Sequence, residues 1–325
     1  MSQALSEFDL IARFFDVQAL TGNPLNPSIP LSIGDDCALL SPAPGYQLAV
    51  SVDTLVAGVH FPLAAPPERL GWRALAVSVS DLAAMGARPL GFTLALTLPM
   101  PDSAWLEAFS AGLAAASQHY GIVLVGGDTT QGPLSLSLQV MGEVPAGQAL
   151  RRDGAKEGDG IYVTGSLGAA HLALDYLNQQ GSLDPRIEAL LSAYYEPASC
   201  ITYGQSLMGI ASAAVDISDG LLADIGHIAK RSQLAVLIDS SAIPIHPVVK
   251  ELSSSDRALY AASRGGDDYQ LAFCVPEAHV EALLSLPFRV TKIGRCQAGS
   301  GVFLDGAPVH VGGYQHFEVS DDNSR

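Results

Sequence analysis

Ile122-Val-Leu-Val-Gly-Gly-Asp128 is the stretch on which the reading of this chain turns. Four apolar residues run straight into two glycines and a carboxylate, the pattern of a short buried strand that ends in an acidic turn. The same grammar recurs outward in both directions. Towards the amino terminus stand Gly34-Asp35-Asp36, Ser51-Val52-Asp53 and Ser80-Asp81; towards the carboxyl terminus stand Asp216-Ile-Ser-Asp-Gly220 and Gly265-Gly-Asp-Asp268. Singly, each is an ordinary turn or helix cap. Together they are too uniformly acidic, and too poor in Asn and Ser, to be independent turns. Carboxylates gathered in one place repel one another and cost free energy unless a cation sits among them. The set therefore points to a site for several hard divalent ions, whose obvious client is a polyphosphate.

The periodicity around these turns predicts two domains of mixed sheet and helix, an α/β (α+β) chain. Helical spacing covers 5–15, 68–85 and 102–120, the last two ended by Gly86 and Gly121. Alternating or apolar runs at 46–53, 90–98, 122–125 and 134–140 read as strands, with Asp53 at the carboxyl end of its strand. Asp81, in the last turns of its helix, is poorly placed for the helix dipole, which favours a ligand role. The polar, Gly-rich run Arg151 to Gly160 reads as a linker, dividing the chain into 1–148 and 149–325. Beyond it, 161–164, 213–217, 234–239 and 269–275 read as strands and 166–180, 184–208 and 219–231 as helices. A hairpin is expected over 301–311, around Asp305-Gly306.

Composition narrows the function. The 325 residues carry a formal net charge of −16 with 48% hydrophobic residues. An acidic surface offers no attraction to a nucleic-acid backbone or an anionic membrane. The apolar runs are too short to span a bilayer, and the first residues lack the basic and apolar regions of a signal peptide. A cytoplasmic location is the expectation. Cys37, Cys200, Cys274 and Cys296 lack Cys-x-x-Cys spacing and read as buried thiols rather than a zinc or disulfide framework. Neither a P-loop nor a protein-kinase signature occurs. With lysine confined to Lys156, Lys230, Lys250 and Lys292, phosphate charge would be neutralised chiefly by metals held on aspartates. Arg151 and Arg152 in the linker could solvate it or offer a bidentate fork to a phosphate. The turn Thr164-Gly-Ser-Leu-Gly168 could cap its helix or give backbone N–H groups to an anion. His60, after a strand and a small-residue turn, reads from pattern alone as a surface-loop histidine, with a ligand contact as the alternative.

Over almost the whole chain the motifs resemble the thiamine-monophosphate kinase family, of the superfamily that includes aminoimidazole ribonucleotide synthetase, selenophosphate synthetase and a hydrogenase-maturation dehydratase. The resemblance is carried by Ile33-Gly-Asp-Asp-Cys-Ala-Leu-Leu40, Asp53-Thr-Leu-Val-Ala-Gly-Val-His-Phe61, Ala74 to Ala87, Gly126-Gly-Asp-Thr-Thr130, Asp216 to Leu221, Gly265-Gly-Asp-Asp-Tyr269 and Gly313-Tyr-Gln-His-Phe317. It implies N- and C-terminal domains of the aminoimidazole ribonucleotide synthetase type, joined as a homodimer through the amino-terminal sheets. It implies phosphorylation of thiamine monophosphate by ATP, with several Mg2+ ions and no obligatory side-chain acid or base. Carried over by position, Asp36, Ser51, Val52 (through its carbonyl), Asp53, Asp81, Asp128, Asp216 and Asp219 match metal ligands. Gly127, Asp128, Arg152 and Ser218 match nucleotide contacts, and His60, Asp268 and Tyr314 match substrate contacts. The rival readings are a sister ATP-using enzyme of the superfamily and a non-catalytic protein that binds nucleotide or thiamine phosphate. The chain lacks the Gly-rich, Cys-bearing amino-terminal segment of a selenophosphate synthetase and the Cys-bearing tail of a hydrogenase-maturation protein.

Overall fold

The computed structural model describes residues 7–22, 26–179, 181 and 184–309. The chain opens with α1 (Glu7–Leu10), a π-helical turn over Ile11–Phe15, and α2 (Gln18–Thr21). The first sheet has the order β1-β4-β2-β3, built from β1 (Tyr46–Val56), β2 (Arg88–Leu98), β3 (Val123–Gln131) and β4 (Ser135–Pro145). Between its strands run α3 (Pro67–Ala84) and α4 (Ser103–Tyr120). Proline opens α3, where its missing N–H costs nothing, and Asp102 caps α4 by accepting from Ala104 and Trp105 N–H at 2.9 and 3.3 Å. The two helices pack closely because both carry glycine at the crossing. A Cβ on Gly112 would stand 1.8 Å from the Glu68 carbonyl oxygen, and one on Gly71 would stand 2.2 Å from that of Phe109.

The second domain follows as β5 (Gly160–Thr164), α5 (Ala169–Ala173), α6 (Pro185–Tyr195), α7 (Ile201–Leu207), β6 (Ala213–Asp216), α8 (Leu221–Ser232), β7 (Ala235–Ile238), α9 (Pro247–Leu252), α10 (Ser255–Arg264), β8 (Leu271–Val275), α11 (Val280–Leu284), β9 (Val290–Gln297), β10 (Gly301–Leu304) and β11 (Ala307–Val309). Its strands order as β11-β10-β7-β9-β5-β8-β6. The fold is thus α/β, with amino- and carboxyl-terminal sheet-plus-helix domains. The largest buried apolar cluster does not respect the division: Ala74, Leu75, Phe92 and Phe109 share it with Leu172, Leu190, Tyr194 and Val249. No described helix is long and apolar enough to cross a membrane.

Several sequence expectations change at this level. The strand with Asp53 continues to Val56, because Thr54, Leu55 and Val56 go on pairing with Ser137, Leu136 and Ser135; Asp53 is interior to the strand. Gly126-Gly127-Asp128 likewise lies within β3, paired to β2 after a bulge, and is not a turn. The helix expected over 184–208 is two helices, broken at Glu196-Pro197, where proline cannot continue the ladder. Within 166–180 the α-helix occupies only Ala169–Ala173 and gives way to a 3-10 turn at Leu174–Tyr176. Of the four thiols Cys37 is exposed and the other three are buried. The hairpin falls at Asp305-Gly306, whose φ values of 52° and 81° are those of a tight primed turn.

Candidate active site

Helix α3 carries the first domain's contribution. Arg73 and Ser80 are seven residues apart, two turns, so they share the face turned to the second domain, with Asp81 beside them. Ser80 Oγ donates across the seam to Asp216 Oδ2 at 2.8 Å, and Asp216 is the last residue of β6. Ser51 and Asp53 alternate with the exposed residues of β1 and so face α3. The Ser51 hydroxyl donates to the Asp81 carboxylate. Four of the residues expected to bind metal, Ser51, Asp53, Asp81 and Asp216, therefore meet where the domains touch.

The electrostatics of this cluster is that of acids short of a counter-charge. Burial, then the charge of Asp81, pushes Asp53 up to about 6, although the Ser78 hydroxyl pulls the other way. Burial, then Asp81, also pushes Asp216 up to about 7; Asp53 adds to this, while the Ser80 hydroxyl and the Arg152 charge oppose it. The donors are all oxygen, the chemistry that suits Mg2+ and not a soft metal. Among the described residues no three His, Cys, Asp or Glu side chains form a ready-made cage. That suits an ion held by one or two carboxylates with water and phosphate oxygens completing its shell. Divalent ions fit this donor set, each held by one or two of the carboxylates of Asp53, Asp81 and Asp216.

The following loop is fixed by a residue that sequence reading missed. Asp224, in the first turn of α8, accepts from the N–H groups of Ser218 and Asp219, each at 3.0 Å. It is only 3% exposed, and burial, then the charges of Asp216 and Asp219, raise its carboxyl to about 8. Its signal was available: Asp224 lies three residues after Leu221 and four before Ile228, an acid on the buried stripe of an amphipathic helix.

The second loop, Gly265 to Tyr269, rests on the first. Asp267 N–H donates to the Ser218 carbonyl and Tyr269 N–H to that of Ile217, both at 2.8 Å. Asp268 turns inward: its oxygens accept the Gly168 N–H at 3.0 and 2.8 Å, ahead of α5, and burial raises its pKa well above the usual range. The N–H of Gly168, in the turn considered as an anion cradle, is thereby engaged by the protein's own carboxylate. Asp267 reaches the other way, to Arg73 Nη2 at 2.7 Å.

The remaining expected residues have other surroundings. The register sets Asp128 in one row with Ala95, Ser137 and Thr54, on the exposed face of the sheet and opposite to the face of Asp53. Val52 projects from that same outer face and is 63% exposed. Asp36 sits on an exposed loop, its N–H bonded to Asp35 Oδ1 at 2.8 Å. Gly127 has a packing reason of its own, since a Cβ there would meet the Leu94 carbonyl oxygen at 2.1 Å. Arg152 is exposed, and its charge acts on Asp216. His60 Nδ1 accepts from Val56 N–H at 2.9 Å, and its carbonyl accepts from Tyr194 Oη at 2.6 Å. Tyr314 lies outside the described residues.

Two mixed sheets joined across an acidic seam define the class. Residues 34–144 match the AIR synthase related protein, N-terminal domain, and residues 156–306 match the AIR synthase related protein, C-terminal domain. The thiamine-monophosphate kinase of Salmonella typhimurium is 46% identical over 327 residues, spanning 97% of this chain and 99% of that enzyme. The crystal structure of thiamine-monophosphate kinase from Stenotrophomonas maltophilia is 47% identical with a TM-score of 0.83, covering 88% of this chain and 93% of that one. The structure of AaThiL complexed with AMPPCP and TMP is 32% identical with a TM-score of 0.79, covering 85% and 89%. The chain belongs to the thiamine-monophosphate kinase family and is a kinase.

Proposed function

We propose that the protein transfers the γ-phosphoryl group of ATP to thiamine monophosphate, giving thiamine diphosphate, the last step of thiamine diphosphate biosynthesis. The observation that carries this reading is the Ser80–Asp216 bond at the centre of an acidic seam: donors from both domains converge where two polyanions would have to meet. The relative complexed with AMPPCP and TMP supports the choice of nucleotide and acceptor. Several Mg2+ ions would be held by Ser51, Asp53, Asp81 and Asp216, with Asp36, Val52, Asp128 and Asp219 assigned to them by resemblance alone. Once bound, Mg2+ would screen the charge of the phosphates and so permit their approach. The chain's own residues hold the geometry. Asp224 sets the 216–219 loop, Ser80 and Ser51 orient two of the carboxylates, and Gly127, Asp128, Arg152 and Ser218 are assigned to the nucleotide. His60, Asp268 and Tyr314 are assigned to the acceptor. The acceptor oxygen is already ionised, so direct in-line attack on the γ-phosphorus needs no side-chain base.

In this reading residues 1–148 supply the metal, nucleotide and dimer surfaces and 149–325 complete the acceptor site. The assembly is a homodimer in the cytoplasm. Support for the dimer comes from β1, an edge strand with Tyr46, Leu48, Val50 and Val52 exposed along one face. The test is to incubate the protein with ATP and Mg2+ and either thiamine monophosphate or free thiamine, and to follow products by chromatography. Diphosphate formed only from the monophosphate supports the proposal; ATP consumed without diphosphate points to a sister enzyme with another acceptor.

A further inference from the structure

Arg73 is buried at 2% exposure within α3, and its guanidinium ties that helix to both α6 and the Gly265 to Tyr269 loop. Nη2 bonds Asp267 Oδ1 at 2.7 Å, Nη1 bonds the Tyr194 carbonyl at the end of α6, and Cζ lies 3.8 Å over the Tyr194 ring. Tyr194, itself 1% exposed, continues the chain of contacts by donating its hydroxyl to the His60 carbonyl at 2.6 Å. At the other end Asp267 Oδ1 also accepts from Tyr269 Oη at 3.0 Å. Asp267 and Tyr269 have φ values of +70° and +48°, left-handed conformations that non-glycine residues adopt only when their surroundings impose them. The imposing contacts are the backbone bonds to Ser218 and Ile217 and the pull of Arg73.

We propose that Arg73 and Tyr194 are positioning residues that clamp the His60 segment of the first domain to the Asp267-Asp268 loop of the second, and so set the acceptor half of the site in register with the metal-binding loop. The proposal rests on the functional reading above, which assigns His60 and Asp268 to the acceptor. Its physical basis is that an ion pair with a buried partner is weak evidence for stability, because apolar replacements of the same volume are often neutral. What such a pair supplies is direction. A planar guanidinium with a fixed fork, stacked on a ring and bonded on two edges, leaves its partners one relative orientation. Lysine could keep the charge on Asp267 but could not also hold the carbonyl and the ring. No nucleotide-contact residue touches this clamp except through the Ser218 carbonyl, so its effect belongs on the acceptor side.

The test is steady-state kinetics on Tyr194→Phe, Arg73→Lys and Asp267→Asn, with ATP and thiamine monophosphate varied separately, beside calorimetric binding of thiamine monophosphate and melting curves. Tyr194→Phe deletes the hydroxyl and with it the bond to His60, and keeps the ring under Arg73, so it should fold as the wild type does. It should raise KM for thiamine monophosphate roughly 5-fold, the worth of one such bond, and leave KM for ATP within about twofold. Arg73→Lys and Asp267→Asn should show the same acceptor-selective pattern, more strongly. Equal rises in both KM values, or unchanged acceptor KM in Tyr194→Phe with a lowered melting temperature, would overturn the clamp and leave a purely structural contact. Wild-type protein that neither binds nor phosphorylates thiamine monophosphate would instead overturn the parent reading, and the clamp's assignment to that acceptor with it.

Discussion

Asp216 accepts one of the hydrogen bonds between the two domains, from Ser80, and its charge state bears directly on the acidic seam. Replacing it by Asn keeps the shape and the Ser80 bond but removes a carboxylate from the metal set. Turnover should fall at least roughly 10-fold, with a higher Mg2+ requirement, as expected for weakening a metal's surroundings; unchanged kinetics at limiting Mg2+ would contradict the role. The raised values of Asp53 and Asp216 also fix the sign of a pH effect. A carboxyl that holds its proton more tightly folded than unfolded stabilises the fold below the ordinary value near 3.8 and loses that contribution as pH rises to about 6 for Asp53 and about 7 for Asp216. Metal-free wild type should therefore lose stability relative to Asp216→Asn across that window, and Mg2+ should restore it at the upper end. Melting curves of the two proteins, with and without Mg2+, read this directly, and the difference between them cancels the titration of groups common to both. Among single residues the acidic turns stood out in the sequence, because Asp beside Gly is conspicuous, but Asp53, Asp81 and Asp216, which meet at the seam, have no glycine neighbour. Arg73 and Asp267 were not read as a pair: 194 residues separate them, and only the domain contact unites them.

At the scale of the element, α3 against α4 supports the site, since α3 carries Arg73, Ser80 and Asp81. Alanine in place of glycine in a helix interior ordinarily gains about 1 kcal/mol. At Gly112 the added Cβ would stand 1.8 Å from the Glu68 carbonyl oxygen, an overpacking cost of about 1–3 kcal/mol or more, so the sign reverses. Gly112→Ala should lower the melting temperature by several degrees, about 2–4 °C for each kcal/mol lost; a higher melting temperature would show that the helices separate without cost. The long helices and the hairpin were legible because their period and caps are local. The break at Pro197 was a local signal passed over, whereas two strands owe their extent to a cause that is not local. β3 runs on through Gly126-Gly127-Asp128 because β2 offers it a partner, and the expected turn gives way to the pairing of Leu94 with Gly127. β9 has no strong alternation of its own and is held as a strand by β5 on one side and β7 on the other.

For the whole molecule, the outer face of the first sheet is the surface that single-chain burial leaves unexplained. Leu48 and Val52 are 43% and 63% exposed on an edge strand, and the same face carries Asp128. If the protein pairs through this face, Leu48→Glu with Val52→Glu should convert a dimer to a monomer by light scattering; a monomeric wild type, or a variant that stays dimeric, would refute the pairing. The two-domain division could be anticipated from the Gly-rich linker, but the apolar cluster that runs through both domains could not, because it is assembled from helices on either side of that linker. In the proposed reaction the phosphoryl group passes directly from ATP to thiamine monophosphate across the acidic seam. This transfer is tested most directly by a single turnover with excess protein and ATP radiolabelled in its γ-phosphate. The label should pass straight into thiamine diphosphate, with none retained on the chain, and EDTA should stop it. Label trapped on the protein, or released as inorganic phosphate with no labelled diphosphate, would contradict the account.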